Sequence, residues 1–281
     1  MGSRMAANLL SKGFSLTVWN RTPGRADELR AAGAGWAETP RDLAVACEVV
    51  CLCVADPAAL DQVTAGPTGV LGGLSRGALV IDFSTVGPNA TRQLEAACIK
   101  AGAAFLSSPV TGSKNAAAAG TLLMMCGGSA EAFAAAAPVL RAVGAKAIHV
   151  GTALQASQVK LMGNVIIAHM VQALSEAGAL AVHSGVGLEK LLEVMQSSGF
   201  ASPFWDFKGK ALAARDFSTH FSVDLMHKDL TLALGMANQL DLPLPSTAAI
   251  REVFQMARAR GLGASDMVST AAVIDPALDE S

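Results

Sequence analysis

Lys160 is the only charged residue in an apolar helical stretch that runs from Val159 to Ile167. Asn164 follows four residues later, so the two side chains lie on the same face of a helix. An ammonium group in this setting can donate to a carbonyl oxygen, and burial lowers the pKa of ammonium groups in general, which favours proton donation. Asn164 can orient the ammonium group or a substrate. The alternative is a lysine whose charged end reaches solvent at a helix start, and the spacing alone favours that alternative.

A second candidate site follows the short strand-like stretch SLTVWNRT, which ends in Asn20, Arg21 and Thr22. A guanidinium group beside a hydroxyl suits a dianionic phosphate, because both form strong hydrogen bonds with phosphate oxygens. An acidic residue here would instead accept from a ribose 2′-hydroxyl and repel a 2′-phosphate. The alternative is a solvated arginine that begins a turn before Pro23.

The residues present argue against several classes of site. The chain has no tyrosine, so it cannot use the tyrosine proton donor of short-chain dehydrogenases and aldo-keto reductases. Its histidines show no metal-ligand spacing, and no metal site is predicted. The net charge of -2 gives no electrostatic footprint for nucleic acid or an anionic membrane. The five cysteines are expected to be reduced core thiols of an intracellular protein.

The elements that must position these residues fall into two parts. Up to about residue 150, short stretches that are apolar on both faces alternate with helical segments, as in a parallel sheet covered by helices. After Gly151 the strand signal disappears, and a long helix from Leu154 to Ser184 begins a helical series. The sequence therefore predicts an α/β fold: a doubly wound parallel sheet over residues 1–152, followed by an all-α domain over residues 153–281.

The predicted elements have these bounds. Strands are expected at residues 15–19, 49–54, 78–84 and 147–150, with one more strand within 109–128. Helices of the first part are expected at residues 24–32, 57–64, 88–101 and 131–143. Those of the second part are expected at residues 154–184, 188–197, 203–214, 225–240, 245–260 and 265–273.

The most apolar run, from Val159 to Val182, carries too many polar residues to span a bilayer, so a buried helix is predicted. Met1 leads into a helical pattern that contains Arg4, which does not indicate a signal peptide. We therefore expect a cytoplasmic protein without a membrane partner. An organelle-targeting segment would lie upstream of Met1.

The motifs, taken in order, resemble those of the β-hydroxyacid dehydrogenases, the family related to 3-hydroxyisobutyrate dehydrogenase. They are MGSRMAANLL, VWNRTPGRADEL, VADP, IDFSTV, SSPVTGSKNAAAAGTL, QVKLMGN, FSVDLMHKDL and ARGLGASDMVSTAAVI. Within that family the chain is most similar to the NADPH-dependent glyoxylate/succinic semialdehyde reductases. The resemblance covers essentially the whole chain. It implies a Rossmann-type domain that binds NADPH or NADP, and a helical domain for substrate binding and dimerisation.

The resemblance also implies roles for individual residues. Lys160 matches the catalytic lysine of the family. The substrate-binding residues it implies are Thr111, Gly112, Ser113, Asn164, Phe221 and Asp229. The cofactor-binding residues it implies are Gly2, Asn20, Arg21, Thr22, Val54, Ala55, Thr85 and Lys228. One departure is that Leu154 and Ala156 stand where glycines usually precede the lysine.

The implied activity is hydride transfer from NADPH to a short aldehyde acid, glyoxylate or succinic semialdehyde. The alternatives are a 3-hydroxyisobutyrate-type dehydrogenase and a non-catalytic interaction protein on the same fold. The expected partners are the substrate and further copies of the chain, in a homodimer or homotetramer, and no nucleic acid. Family members begin with a strand and a G-x-G turn, so the resemblance implies that about ten such residues are lacking before Gly2, the candidate third glycine.

Overall fold

The computed structural model describes residues 1–276. The chain forms two compact units, one spanning Met1–Leu161 and one that begins at Met162. The dividing point lies within a long helix, described below.

The first unit is an α/β unit whose described strands form two separate sheets. A two-stranded parallel sheet pairs β1 with β2, with Thr17 opposite Gly35 and Val18 opposite Trp36. The larger sheet has the order β3-β4-β5-β7-β6, and β8 also pairs with β7. The strands are β1 (Thr17–Val18), β2 (Gly35–Trp36), β3 (Val49–Leu52), β4 (Leu79–Asp82), β5 (Ala104–Ser107), β6 (Val110–Thr111), β7 (Leu122–Gly128) and β8 (Gly144–Gly151).

The strand directions confirm the α/β class and add one difference from an all-parallel sheet. β3 and β4 are parallel, as predicted, and β5, which was not predicted, is parallel to β4. β7 runs antiparallel to both β5 and β6, and β8 is parallel to β7. The segment between β6 and β7 is too short for a parallel crossover, which needs a dozen or more residues, so the chain turns back beside β6.

Helices cover both faces of the larger sheet. The helices of this unit are α1 (Gly2–Ser11), α2 (Asp27–Ala31), α3 (Pro40–Ala46), α4 (Pro57–Thr64), α5 (Gly87–Lys100), α6 (Lys114–Ala119) and α7 (Ala130–Val143), and all but α2 contribute to the clusters that pack on the larger sheet. Alternate residues of β4 enter two different apolar clusters, since successive side chains of a strand point to opposite faces. Ile81 packs in the cluster beneath α1 and α7, whereas Val80 packs in the cluster beneath α4 and α5.

One helix, α8 (Ala153–His183), is 31 residues long and runs across the division between the units. By length and hydropathy alone this helix is sufficient to cross a membrane. Of its most apolar 18-residue stretch, 44% is buried inside the protein. It also buries the polar side chains of Lys160, Asn164, Gln172 and Ser175. Buried polar groups at these positions are typical of a helix that packs within a protein core.

From Met162 onward, the described residues contain helices and no strand of more than an isolated bridge. After α8 come α9 (Leu188–Ser197), α10 (Pro203–Ala213), α11 (Val223–Gln239), α12 (Pro245–Ala259) and α13 (Ala271–Ile274). Where a helix was predicted for residues 265–273, the chain forms a 3₁₀ turn, Met267–Thr270, followed by α13, and the Asp266 carboxylate caps the turn by accepting from the Val268 N–H.

The second unit contains an ion pair that is removed from solvent. Lys208 Nζ lies 2.7 Å from Asp266 Oδ1, and the two side chains are 3% and 2% exposed. The other carboxylate oxygen, Asp266 Oδ2, accepts from the backbone N–H groups of His220 (2.9 Å) and Phe221 (3.1 Å). The pair therefore ties α10 to the segment that precedes α11.

The cysteines are free thiols, but they are not all core residues as expected. Cys98 and Cys126 are buried, and Cys47 is half-buried. Cys51 and Cys53 are exposed, which corrects the expectation for those two. They alternate with buried residues along the β3 segment, so their side chains point to its accessible face.

Candidate active site

The carboxyl ends of β3 and β4 lie side by side and carry predicted cofactor-binding residues. Val54 and Ala55 follow β3, and Thr85 follows β4. In open α/β sheets, ligands bind in the crevice outside these strand ends. Ser84 Oγ accepts a hydrogen bond from the Val54 N–H at 2.9 Å. Thus the Ser84 side chain, after β4, holds the backbone of Val54, after β3.

Gly2, the first residue of α1, also meets the end of β3. A Cβ atom added at Gly2 would lie 3.3 Å from the Cβ of Cys53, which is tighter than most such contacts. A larger residue would require Cys53 to shift by a few tenths of an ångström, so glycine favours this close approach. Close packing of a helix start on a strand is the role of the third glycine in a dinucleotide-binding unit. The packing of Gly2 on the end of β3 is therefore compatible with the predicted role of a third glycine in such a unit.

The turn after β1 presents the predicted phosphate-binding group. The side chains of Arg21 and Thr22 are exposed. The side-chain amide of Asn20 donates to the Thr22 carbonyl at 2.8 Å, so Asn20 closes the turn that carries Arg21. A cation on such a turn is accessible to a ligand phosphate.

The predicted carboxylate-binding residues follow β6. Gly112 has a φ of 136°, and an added Cβ would lie 2.8 Å from Leu122 Cδ2 and 2.9 Å from Ala116 Cβ. This position therefore requires glycine on both conformational and steric grounds. Thr111 is exposed and Ser113 is half-buried at the start of α6, so the hydroxyl and the amides between them are accessible.

Lys160 lies on α8 and is only 7% exposed. Its ammonium group therefore does not extend into bulk water, which distinguishes it from a lysine that reaches solvent. Asn164 is one helical turn further along α8 and is 2% exposed. Burial in a medium of low dielectric strengthens the hydrogen bonds that such groups form.

In the second unit, Asn164, Lys228 and Asp229 form a connected polar group. The Asn164 side-chain nitrogen donates to Asp229 Oδ2 at 2.5 Å, and Lys228 Nζ lies 2.9 Å from Asp229 Oδ1. Asp229 is 1% exposed. Because the amide nitrogen of Asn164 faces Asp229, its amide oxygen must face the opposite way. Asp229 therefore orients Asn164, and it also contacts the predicted cofactor lysine.

Phe221 is half-buried and packs against the core cluster that contains Met226 and Phe254. Its backbone N–H donates to Asp266, and its carbonyl accepts from the Met267 N–H at 2.8 Å.

The buried acidic residues Asp82 and Asp266 were not predicted as functional. For Asp82, the sequence signal was a carboxylate within the otherwise apolar strand LVIDF. For Asp266, it was a lone aspartate just before an apolar segment.

Two cavities of about 600 and 450 Å³ occur within the second unit, and neither is lined by a predicted site residue. Within residues 1–276, no group of three or more His, Cys, Asp or Glu side chains is arranged to hold a metal ion.

Comparison with known protein families covers nearly the whole chain. Residues 1–151 match the family described as the NAD binding domain of 6-phosphogluconate dehydrogenase. Residues 155–274 match the family described as NAD-binding of NADP-dependent 3-hydroxyisobutyrate dehydrogenase.

Individual relatives agree with the family matches. Glyoxylate/succinic semialdehyde reductase 1 of Arabidopsis thaliana is 32% identical over 266 residues, which cover 95% of this chain and 92% of the relative. The 2-(hydroxymethyl)glutarate dehydrogenase of Eubacterium barkeri is 32% identical over 268 residues, which cover 95% and 89%. The crystal structure of 3-hydroxyisobutyrate dehydrogenase (ygbJ) from Salmonella typhimurium has a TM-score of 0.87 at 27% identity, covering 97% of this chain and 95% of that one. The chain belongs to the β-hydroxyacid dehydrogenase family and is an NAD(P)-dependent oxidoreductase that acts on CH–OH groups.

Proposed function

We propose that the protein is an NADPH-dependent reductase of a short aldehyde acid, glyoxylate or succinic semialdehyde, with Lys160 as the proton donor. The observation that carries the proposal is the burial of Lys160, 7% exposed, on α8 of a chain that belongs to this family. The two Arabidopsis glyoxylate/succinic semialdehyde reductases, 32% and 31% identical, support this substrate class.

The chemistry requires a hydride and a proton. When bound, NADPH supplies the hydride to the carbonyl carbon. Lys160 donates a hydrogen bond to the carbonyl oxygen and transfers its proton there as negative charge develops, which yields the hydroxyl group. The neutral amine that remains regains a proton from solvent.

Other residues place the substrate for that step. The Thr111 hydroxyl and the amides of Gly112 and Ser113 hold the substrate carboxylate, since consecutive N–H groups suit a small anion. Asn164, oriented by Asp229, positions the substrate or the ammonium group, and Phe221 shapes the pocket. Geometry of this kind raises rate by holding reacting groups in place.

The cofactor preference rests on Arg21. Its exposed guanidinium group after β1 suits the 2′-phosphate of NADPH, and no carboxylate stands at this turn to bind a 2′-hydroxyl instead. The competing proposal is a 3-hydroxyisobutyrate-type dehydrogenase, supported by the Salmonella structure.

We also propose that the protein is a homodimer or homotetramer. Met162, Ile166 and Leu180 on α8 are 51%, 62% and 72% exposed, and large apolar side chains at such positions are commonly covered by another subunit. Light scattering on the purified chain gives the molar mass that decides between monomer, dimer and tetramer.

The proposed function is tested by following NADPH oxidation with a panel of aldehyde acids, and by following reduction of NADP or NAD with 3-hydroxyisobutyrate. Turnover of glyoxylate or succinic semialdehyde is expected to exceed the other reactions. Preferred turnover of 3-hydroxyisobutyrate with NAD would favour the competing dehydrogenase. If none of the substrates causes oxidation or reduction of the cofactor, the result would favour a non-catalytic interaction protein.

A further inference from the structure

The carboxyl ends of β3 and β4, which carry proposed cofactor-binding residues, are linked by a short chain of hydrogen bonds. Asp82, the last residue of β4, accepts at Oδ1 from the Ser84 N–H at 2.9 Å. Ser84 Oγ accepts from the Val54 N–H at 2.9 Å. Asp82 is 1% exposed and Ser84 is 6% exposed, so water does not readily replace either acceptor.

These bonds begin where the sheet ladder stops. The last ladder bond between the two strands runs from the Phe83 N–H to the Leu52 carbonyl. Val54 lies beyond it, and its N–H would lack a strand partner. The Ser84 hydroxyl takes the place of the next ladder bond and fixes the orientation of the peptide group between Cys53 and Val54.

The elements on either side are anchored by other contacts. Asp56 Oδ1 accepts from the Ala59 N–H at 2.8 Å and caps α4. The Asp82 carbonyl accepts from the Ser108 N–H at 2.7 Å, which ties β4 to the end of β5. Loss of the Ser84 hydroxyl would therefore free residues 54–55 while the strands and α4 stay in place.

We propose that Asp82 and Ser84 are positioning residues for the nicotinamide end of the cofactor: Asp82 orients Ser84, and Ser84 holds the backbone of Val54 and Ala55, which contacts that end. The proposal rests on the proposed function, because the bound molecule is the nicotinamide cofactor. Neither side chain needs to touch it, since both act through the backbone of residues 54–55.

The experiment measures dissociation constants by fluorescence titration for two ligands, NADPH and adenosine 2′,5′-bisphosphate. The second ligand carries only the adenosine end, which the proposed function places at Arg21. Ser84→Ala is expected to weaken NADPH binding about tenfold and to leave the bisphosphate unchanged. Ser84→Thr keeps the hydroxyl and is expected to retain wild-type affinity. Thr91→Val is the matched control, since Thr91 is a buried residue of the same unit whose hydroxyl bonds to Gly87 within α5.

The outcomes separate the two claims. A wild-type chain that binds neither ligand would overturn the proposed function together with this inference. A wild-type chain that binds NADPH, with Ser84→Ala binding it equally well, would overturn the inference alone. Equal weakening of both ligands would also overturn it, because that result indicates general damage. Asp82→Ala is expected to repeat the Ser84→Ala pattern, and the double variant to lose no more than Ser84→Ala alone.

Discussion

Lys160 lies in a part of α8 whose neighbours in sequence are apolar, and it is nonetheless buried with its charge-bearing end out of bulk water. Burying an ammonium group costs free energy unless other groups interact with it. A charged side chain that is buried despite this cost is a candidate for a functional role. At the scale of single residues, Lys160 is therefore the first residue to substitute in a test of function.

Lys160→Ala is expected to reduce turnover by at least about a hundredfold, because proton transfer by a positioned side chain commonly contributes that factor. NADPH affinity should stay near the wild-type value. Steady-state NADPH oxidation and a binding titration measure the two quantities. Lys100→Ala, at the exposed end of α5, is the control. Substantial turnover in Lys160→Ala would assign the proton donor to another group.

Arg21→Asp is expected to shift the preference from NADPH toward NADH by about tenfold or more, since it removes a charge-assisted hydrogen bond to the 2′-phosphate and adds a repelling charge. The ratio of kcat/KM for the two cofactors measures the shift. Arg141→Asp, on the exposed surface of α7, makes the same charge change elsewhere. An unchanged ratio in Arg21→Asp would contradict the phosphate role.

Spacing alone could predict only residues whose relation is local, and the remaining site residues were predicted from the family resemblance. Lys160 and Asn164 are four positions apart, so their shared helix face follows from the helical repeat. By contrast, Asn164 meets Asp229 and Ser84 meets Val54 only after folding, across separations of 65 and 30 residues. The exposure of Cys51 and Cys53 likewise depends on which face of β3 is covered.

At the scale of elements, helix starts with strong local signals were predicted well. α4, α10 and α12 begin at the expected prolines, because proline at the first helical position costs no hydrogen bond. The elements that were missed are β2, α3, β5, β6 and α6, since only one strand was predicted where β6 and β7 lie. Each has seven residues or fewer, and most of its stability comes from neighbours in the fold.

The ion pair between α10 and Asp266 gives a prediction at this scale. Lys208→Met leaves a carboxylate that is 2% exposed without its cation, and is expected to lower the free energy of unfolding by about 3–5 kcal/mol. Urea unfolding followed by circular dichroism measures the change.

The matched control is Lys210→Met, two residues further along α10. Lys210 pairs with Asp206 at 2.6 Å, but the side chains are 75% and 56% exposed. Its loss is expected to cost less than about 1 kcal/mol. Equal effects of the two variants would show that burial does not decide the strength of these pairs.

At the scale of the whole molecule, the buried thiol of Cys98 contributes to how stability changes with pH in mild alkali. Burial, with the nearby charges of Asp82 and Glu95, raises the pKa of Cys98 from 9.0 to about 12. Between these values the unfolded chain releases the proton while the folded chain keeps it, so stability is full below pH 9 and falls as the pH rises. The chain has no tyrosine, so no phenol titrates in the same range.

Wild-type protein is therefore expected to lose about 1 kcal/mol more than Cys98→Ala between pH 9 and pH 10. Urea unfolding of both proteins at the two pH values measures the difference. Cys98→Ala can change the free energy of unfolding at both pH values. The comparison therefore uses only the difference between pH 9 and pH 10 within each protein. Parallel losses in the two proteins would show that Cys98 does not titrate differently on folding.

The small sheet of β1 and β2 has a consequence for ligand recognition. Two residues from each strand make few ladder bonds, and such a sheet is not stable without its surroundings. The surrounding segment buries the small or single apolar side chains of Ala26, Leu29 and Ala34, and segments with few buried apolar contacts are those that open locally at the lowest free-energy cost. If the cofactor phosphate pairs with Arg21 as proposed, binding is expected to order this segment, and the measured affinity would be weaker by the free energy of that ordering.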